Sequence, residues 1–137
     1  MIVRSFLDSN IFVYADDHRD PTKQATSLAL YERARATGLG VLSTQVMQEY
    51  FSVVTSKIGM PPDLARKRVE LMGSLDVVQV DPPLILSAID LHRLHRISIW
   101  DALIVQAAAA AGCRELLTED LHPGSRLAGV ELVNPFA

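Results

Sequence analysis

The sequence predicts an α/β protein: helices covering both faces of a mostly parallel central sheet, an α/β/α sandwich. Three observations carry this. Short apolar runs of strand length alternate with longer stretches of helical spacing. The longer stretches open and close on helix punctuation: Asp20-Pro21, Pro82-Pro83, and Gly38 and Gly112 at their ends. Two of the short runs stop abruptly in acids, Asp8 and Glu119-Asp120, as strands do at the ligand-binding edge of open α/β sheets.

Residues 2–7 form the first expected strand, with Ile2, Val3, Phe6 and Leu7 apolar and the Arg4-Ser5 pair its weakest part. Residues 11–15 read as a short apolar helical turn that Asp8, Ser9 or Asn10 can cap. A helix is expected from Asp20-Pro21 to Gly38, with Ala25, Leu28, Ala29, Tyr31 and Ala34 inward and Lys23, Arg33 and Arg35 facing water. Val41-Leu42 makes a second strand. Ser43 or Thr44 then caps a helix reaching about Lys57, with Val46, Tyr50, Val53 and Val54 at helical spacing. Gly59-Met60-Pro61-Pro62 interrupts the chain before a helix over 62–72. Strand 77–80, a helix over 84–95 and an apolar helix from Asp101 to Gly112 follow. Strands over 115–118 and 130–133 close the chain.

At 137 residues the length suits a single domain, 1–137, with a core of its own. Hydrophobic residues are 49% and charged residues 21%, which excludes a disordered chain. No apolar stretch reaches the ~20 residues needed to cross a bilayer, and the start lacks a secretory signal pattern, so a cytoplasmic location and no membrane partner are expected. Cys113 is the only cysteine, which rules out an internal disulfide. The net charge of −3 argues against a nucleic-acid partner only superficially. With four of the 16 acids engaged in holding cations, 13 basic residues face 12 acidic ones.

Four acids stand where elements meet the core. Asp8 and Asp120 end strands, and Glu49 lies on the inward stripe of its helix between Val46 and Val53. Asp101 opens the most apolar helix. Ser98 three residues earlier gives it an alternative reading as half of a capping box. An unpaired carboxylate on an apolar face is costly, so Glu49 requires a cation, a donor or water. Acids converging on one sheet edge would repel one another unless they hold a cation, and an all-oxygen set without Cys or His selects Mg²⁺ or Mn²⁺. Such a site suits metal-assisted phosphodiester hydrolysis. His92 and His95 have a zinc-like spacing, but no third ligand is near in sequence; beside Arg93 and Arg96 they complement a helix C-terminus. A phosphatase with Asp8 as nucleophile would want a second acid where Asn10 stands. A nucleotide-binding module would want a glycine-rich loop after the first strand.

The motifs Leu7-Asp8-Ser9-Asn10-Ile11-Phe12, Gln48-Glu49, Trp100-Asp101-Ala102-Leu103-Ile104, Leu117-Thr118-Glu119-Asp120 and Val133-Asn134-Pro135-Phe136 occur in this order along nearly the whole chain. In them the sequence resembles the PIN-domain ribonucleases, and among these the VapC-like toxins of bacterial toxin–antitoxin pairs. The resemblance implies a PIN-like α/β/α sandwich and a metal-dependent endoribonuclease. It implies that Asp8, Glu49, Asp101 and Asp120 are the catalytic and metal-binding acids, with Ser9 or Asn10 as polar helper. It further implies a homodimer and a cognate antitoxin whose C-terminal segment wraps the toxin. A PIN-fold RNA-processing nuclease outside a toxin pair, or an inactive binding module, is the alternative. Many members carry an aromatic soon after the fourth acid, where this chain has His122-Pro123, which raises the question whether Glu119 shares that acid's work.

Two surface expectations complete the reading. Arg66, Lys67 and Arg68 form the densest basic cluster and are candidates for contacting RNA phosphates. The helix from Ser43 is apolar over more than one stripe, at Val46, Met47, Tyr50, Phe51, Val53 and Val54. Part of it should therefore face a second copy, with a groove near Met47 and Phe51 for an antitoxin segment.

Overall fold

The computed structural model describes residues 2–137. Its elements run β1 (Ser5–Leu7), α1 (Ser9–Ala15), α2 (Pro21–Thr37), β2 (Gly40–Ser43), α3 (Thr44–Val53), a π-helical turn (Val54–Ile58) and α4 (Pro62–Met72). They continue with β3 (Asp76–Val78), α5 (Pro82–His95), α6 (Ile99–Ala110), β4 (Glu115–Leu117), β5 (Arg126–Leu127) and β6 (Val130–Val133). The sheet has the order β3-β2-β1-β4-β6-β5 and is parallel except for β5.

This order fixes where a site can form. From β1 the chain steps outward to β2 and β3, then crosses back to β4 on the other side of β1. Right-handed crossovers therefore place α1 to α4 on one face and α5 with α6 on the other, and leave a crevice at the C-terminal ends of β1 and β4, where the winding reverses. The backbone pairing extends into that crevice, with Asp8 N–H donating to Leu117 O at 3.1 Å and Thr118 N–H to Val133 O at 2.9 Å.

The core is the apolar middle of the strands against α3 and α6. Phe6, Val41, Leu42, Leu116 and Leu132 are buried from the sheet, Val46, Tyr50 and Val54 from α3, and Ala102, Val105 and Ala108 from α6. Each larger side chain contributes roughly 1.5–3 kcal/mol by leaving water. Tyr50 is buried as a ring yet satisfies its hydroxyl by donating to Asp16 Oδ2 at 2.5 Å. The small residues of α6 let it lie across β2, β4 and β6. Gly40 does the same for α2, since a Cβ there would stand 2.3 Å from Ala34 Cβ.

Several local expectations need correction. The first strand is shorter than residues 2–7, with Ile2 exposed. The inward stripe of α2 is Lys23, Ser27, Leu30, Tyr31 and Ala34, whereas Ala25, Leu28 and Ala29 lie outside it. This stripe is also helically spaced, and Ser27 belongs to it although it is polar. Lys23 is thus partly covered rather than facing water. Part of the wide apolar surface of α3 is internal packing: Val46, Tyr50 and Val54 are buried, while Phe51 is 38% exposed. The β5–β6 hairpin is absent from the sequence reading. Its turn is Ala128-Gly129, both at positive φ (51° and 80°), a conformation that an alanine does not announce.

Candidate active site

Asp8 leaves β1 and caps α1: its Oδ1 accepts from Ser9 N–H at 2.7 Å. Its Oδ2 accepts from the Thr118 hydroxyl at 2.8 Å, from the end of β4. Only 6% of Asp8 is exposed. Burial pushes its carboxyl up from the ordinary 3.8 to about 6 against the lowering effect of the Thr118 and Ser9 hydrogen bonds, and the charges of Glu49 and Asp120 push the same way as burial. Asp8 therefore senses the charges of two of the other predicted acids.

The Thr118 oxygen also accepts from Asp120 N–H at 3.1 Å, so one side chain ties the two strand ends together. Asp120 is exposed, and its Oδ2 accepts from Asn10 Nδ2 at 3.1 Å. The Asn10 oxygen is buried and unpaired. Flipping the amide would set that oxygen against a carboxylate, so the network fixes its orientation. Ser9 is half-buried beside this pair.

Glu49 is half-buried on α3, one turn after Gln45, whose Nε2 donates to Glu49 Oε2 at 3.3 Å and to Trp100 O at 3.1 Å. Gln45 thereby joins α3 to the start of α6, where Asp101 stands half-buried. Ser98 caps α6 by accepting from Asp101 N–H at 3.0 Å, so the backbone half of the capping box is present. The Gln45 oxygen, like that of Asn10, is buried without a donor. Ser9, Gln45, Gln48, Glu49, Ser52, Val53 and Trp100 line an open groove of ≈ 570 Å³.

Glu119 points to a different task. It accepts from the Tyr14 hydroxyl at 2.6 Å and pairs with Lys23, which lies 4.7 Å from the centre of the Tyr14 ring. Burial raises its carboxyl, yet the hydrogen bonds from Lys23 and Tyr14 outweigh this and hold it below the usual value. Arg66, Lys67 and Arg68 are exposed on α4. Arg66 pairs with Glu70 and Arg68 with Asp16 at 3.4 Å, which leaves Lys67 unengaged among the described residues. His92 Nδ1 lies 2.5 Å from Ile97 O at the end of α5, in keeping with a role in ending that helix.

Among the described residues no three His, Cys, Asp or Glu side chains stand close enough together to hold an ion. The donors of the crevice nonetheless fit a hard cation. The charges of Glu49 and Asp120 reach Asp8, and the Asn10 and Gln45 amide oxygens lack donors, so the groups present are the oxygen ligands that such an ion prefers. Sequence reasoning missed Thr118, Gln45 and the outward placing of Trp100. A threonine two residues before an acid at a strand end was the available signal for the first.

A doubly covered parallel sheet with an acidic crevice at its winding reversal defines an α/β/α class of site-bearing proteins. A family model for the PIN domain matches residues 5–127, and the chain belongs to that family. No curated protein matches the sequence significantly. Solved structures share the fold at low identity. The Mycobacterium tuberculosis toxin VapC20, described as cleaving the sarcin–ricin loop, is 18% identical with a TM-score of 0.67, covering 85% of this chain and 91% of its own. VapBC2 from Rickettsia felis, bound to a DNA fragment from its promoter, is 18% identical at 0.67, covering 93% and 96%. DNA-bound VapBC from Salmonella typhimurium is 15% identical at 0.68, covering 96% and 97%. Among the described residues no helix is long and apolar enough to cross a membrane.

Proposed function

We propose that the protein is a divalent-metal-dependent endoribonuclease, the toxin of a toxin–antitoxin pair acting in the cytoplasm. One arrangement supports this above all: Asp8, held by Thr118 at the winding reversal of the sheet, is raised to about 6 chiefly by burial, with the charges of Glu49 and Asp120 acting in the same direction. A carboxyl so placed gains from a cation what it lacks in water. Asp8, Glu49, Asp101 and Asp120 would hold Mg²⁺, or Mn²⁺, through oxygen ligands, with Asn10 and Ser9 as polar helpers. The ion would supply Lewis acidity toward water and phosphate and offset the charge between an RNA backbone and the acids. Asp8 then serves as the fixed anchor, because two donors hold its oxygens. Asn10 keeps Asp120 turned to the crevice, and Gln45 sets Glu49 beside the start of α6. The open groove leaves room for a polynucleotide strand to pass.

The toxin assignment draws on the VapC and VapBC neighbours and on a second groove of ≈ 630 Å³ between α3 and α4. That groove is lined by Met47, Gln48, Phe51, Pro62, Asp63, Arg66 and Val69, and Gln48 is common to both grooves. An antitoxin segment lying there would meet, at Gln48, the groove that holds Glu49. A homodimer belongs to the same reading. Purified protein incubated with single-stranded RNA and Mg²⁺ should cut it, and EDTA should stop the reaction. Failure to cut with either Mg²⁺ or Mn²⁺ would leave an inactive PIN-fold binder.

A further inference from the structure

Trp100 precedes Asp101 in the first turn of α6, and 64% of it is exposed. A tryptophan so open to water, on a rigid element, calls for an explanation. Its backbone is firmly mounted: Ser98 caps the helix, and Gln45 donates to the Trp100 carbonyl at 3.1 Å. Its side chain lines the same groove as Glu49, Gln45, Gln48 and Ser9. Trp100 thus stands on the groove that holds Glu49.

The nuclease reading, on which this inference rests, poses a problem of affinity. Four carboxylates repel the phosphate they are to act on, and the chain carries a net charge of −3. Two of the three clustered cations on α4 are already paired with carboxylates. Charge alone is therefore a weak source of binding close to the acids. Stacking of a base on an aromatic face needs no charge and accepts any sequence. We propose that Trp100 is the stacking platform for a nucleobase of single-stranded RNA next to the scissile phosphate. Exposed Gln48, in the same groove, offers an amide able to meet the edge of that base.

The chain has one tryptophan, so its intrinsic emission reports this position alone. In the Asp8→Asn variant, which leaves RNA uncut, titration with a short single-stranded RNA in Mg²⁺ should quench the emission to saturation. A base-free ribose-phosphate oligomer of equal length should leave it unchanged. In the otherwise native protein, Trp100→Leu should raise KM for RNA by about 5- to 100-fold with little change in kcat, and Trp100→Phe should recover most of the loss. Circular dichroism verifies that both variants are folded. RNA binding seen by anisotropy of a labelled strand without quenching, or Leu performing as well as Phe, would overturn the stacking role while native cleavage upholds the nuclease. Emission that shifts to the blue with protein concentration alone, and ignores RNA, would show the indole covered by a second copy and equally overturn it. A native protein that neither binds nor cuts RNA would sink the nuclease reading itself, and the platform with it.

Discussion

The Thr118 hydroxyl donates to Asp8 Oδ2 at 2.8 Å while its oxygen accepts from Asp120 N–H at 3.1 Å. One buried side chain therefore couples the ends of β1 and β4, the two strands between which the winding reverses, and holds two of the candidate acids in register.

Removing that coupling should be visible in both stability and activity. Thr118→Val keeps the shape but leaves a buried carboxylate and an amide without their partner, so we expect a destabilisation of about 1–3 kcal/mol and a large loss of RNA cleavage. Thr118→Ser should retain most of both. Chemical denaturation alongside a cleavage assay decides, and a fully active valine variant would reduce Thr118 to packing.

Asp8 makes a prediction about pH in metal-free protein. Its folded-state value of about 6 lies above the unfolded 3.8, so the folded state holds the proton more tightly. The native protein is therefore favoured below about pH 4, loses stability as pH rises through 6, and levels off above; the full span is worth roughly 3 kcal/mol as an upper limit. Asp8→Asn has no such proton; its single oxygen still accepts from Ser9 N–H, and its NH2 takes the place of Oδ2 and donates to the Thr118 hydroxyl, which turns to accept. In EDTA it should gain on the native protein between pH 5 and 8, while cleavage is abolished. Mg²⁺ should narrow the gap by stabilising the native protein alone. A native protein in EDTA whose stability does not fall over that range would mean that Asp8 is comfortable as a simple helix cap.

Much of this was legible in the sequence because the physics behind it is local. Asp20, Ser43 and Ser98 cap helices and Gly38 ends one by rules that act within a few residues. The alternation of apolar runs sufficed for the parallel sheet. The α2 stripe was misassigned because two helically spaced sets compete on that helix, and tertiary contact selected the one containing polar Ser27 and Lys23. Gln45 escaped notice because its value lies in reaching Trp100, 55 positions away. Such links appear only when two elements from opposite faces meet.

Asp101 separates capping from chemistry. The cap present at α6 uses its backbone N–H and the Ser98 hydroxyl, neither of which Asp101→Asn alters. We expect a change in stability within about 0.5 kcal/mol, as for a substitution away from the buried networks, with cleavage reduced by several orders of magnitude if Asp101 is a metal ligand. Thermal unfolding and single-turnover cleavage of the same preparation give the two numbers. A destabilised but active variant would assign Asp101 to the cap.

The α4 cluster carries unequal expectations. Lys67 is the cation without a carboxylate partner among the described residues, whereas Arg66 and Arg68 are paired with Glu70 and Asp16. If the cluster meets RNA phosphates, Lys67→Ala should flatten the dependence of log affinity on log salt by about 0.7, the single-strand value for one contact. The Arg66, Lys67, Arg68 triple alanine variant should flatten it further. Binding measured across a salt series tests this, and an unchanged slope in the triple variant returns the cluster to an ordinary solvated face.

Glu119 and Asp120 are neighbours with opposite surroundings, and this favours Asp120 as the fourth acid of the proposed site. Glu119 is already engaged by Lys23 and the Tyr14 hydroxyl, and Phe136 packs edge-on against Tyr14 at 5.1 Å to close that cluster. A carboxylate holding a cationic partner and a phenol has little left to offer a metal ion. Among the described residues the Asp120 carboxylate meets only the Asn10 amide, and its charge raises Asp8. Glu119→Gln retains one oxygen for Lys23, and its NH2 can donate to the Tyr14 hydroxyl, so cleavage should stay within a few-fold of native. Asp120→Asn should lower it by orders of magnitude, because a neutral amide cannot replace a carboxylate at a hard cation. Single-turnover cleavage at saturating Mg²⁺ compares the two directly. A deeper loss in Glu119→Gln than in Asp120→Asn would exchange their roles.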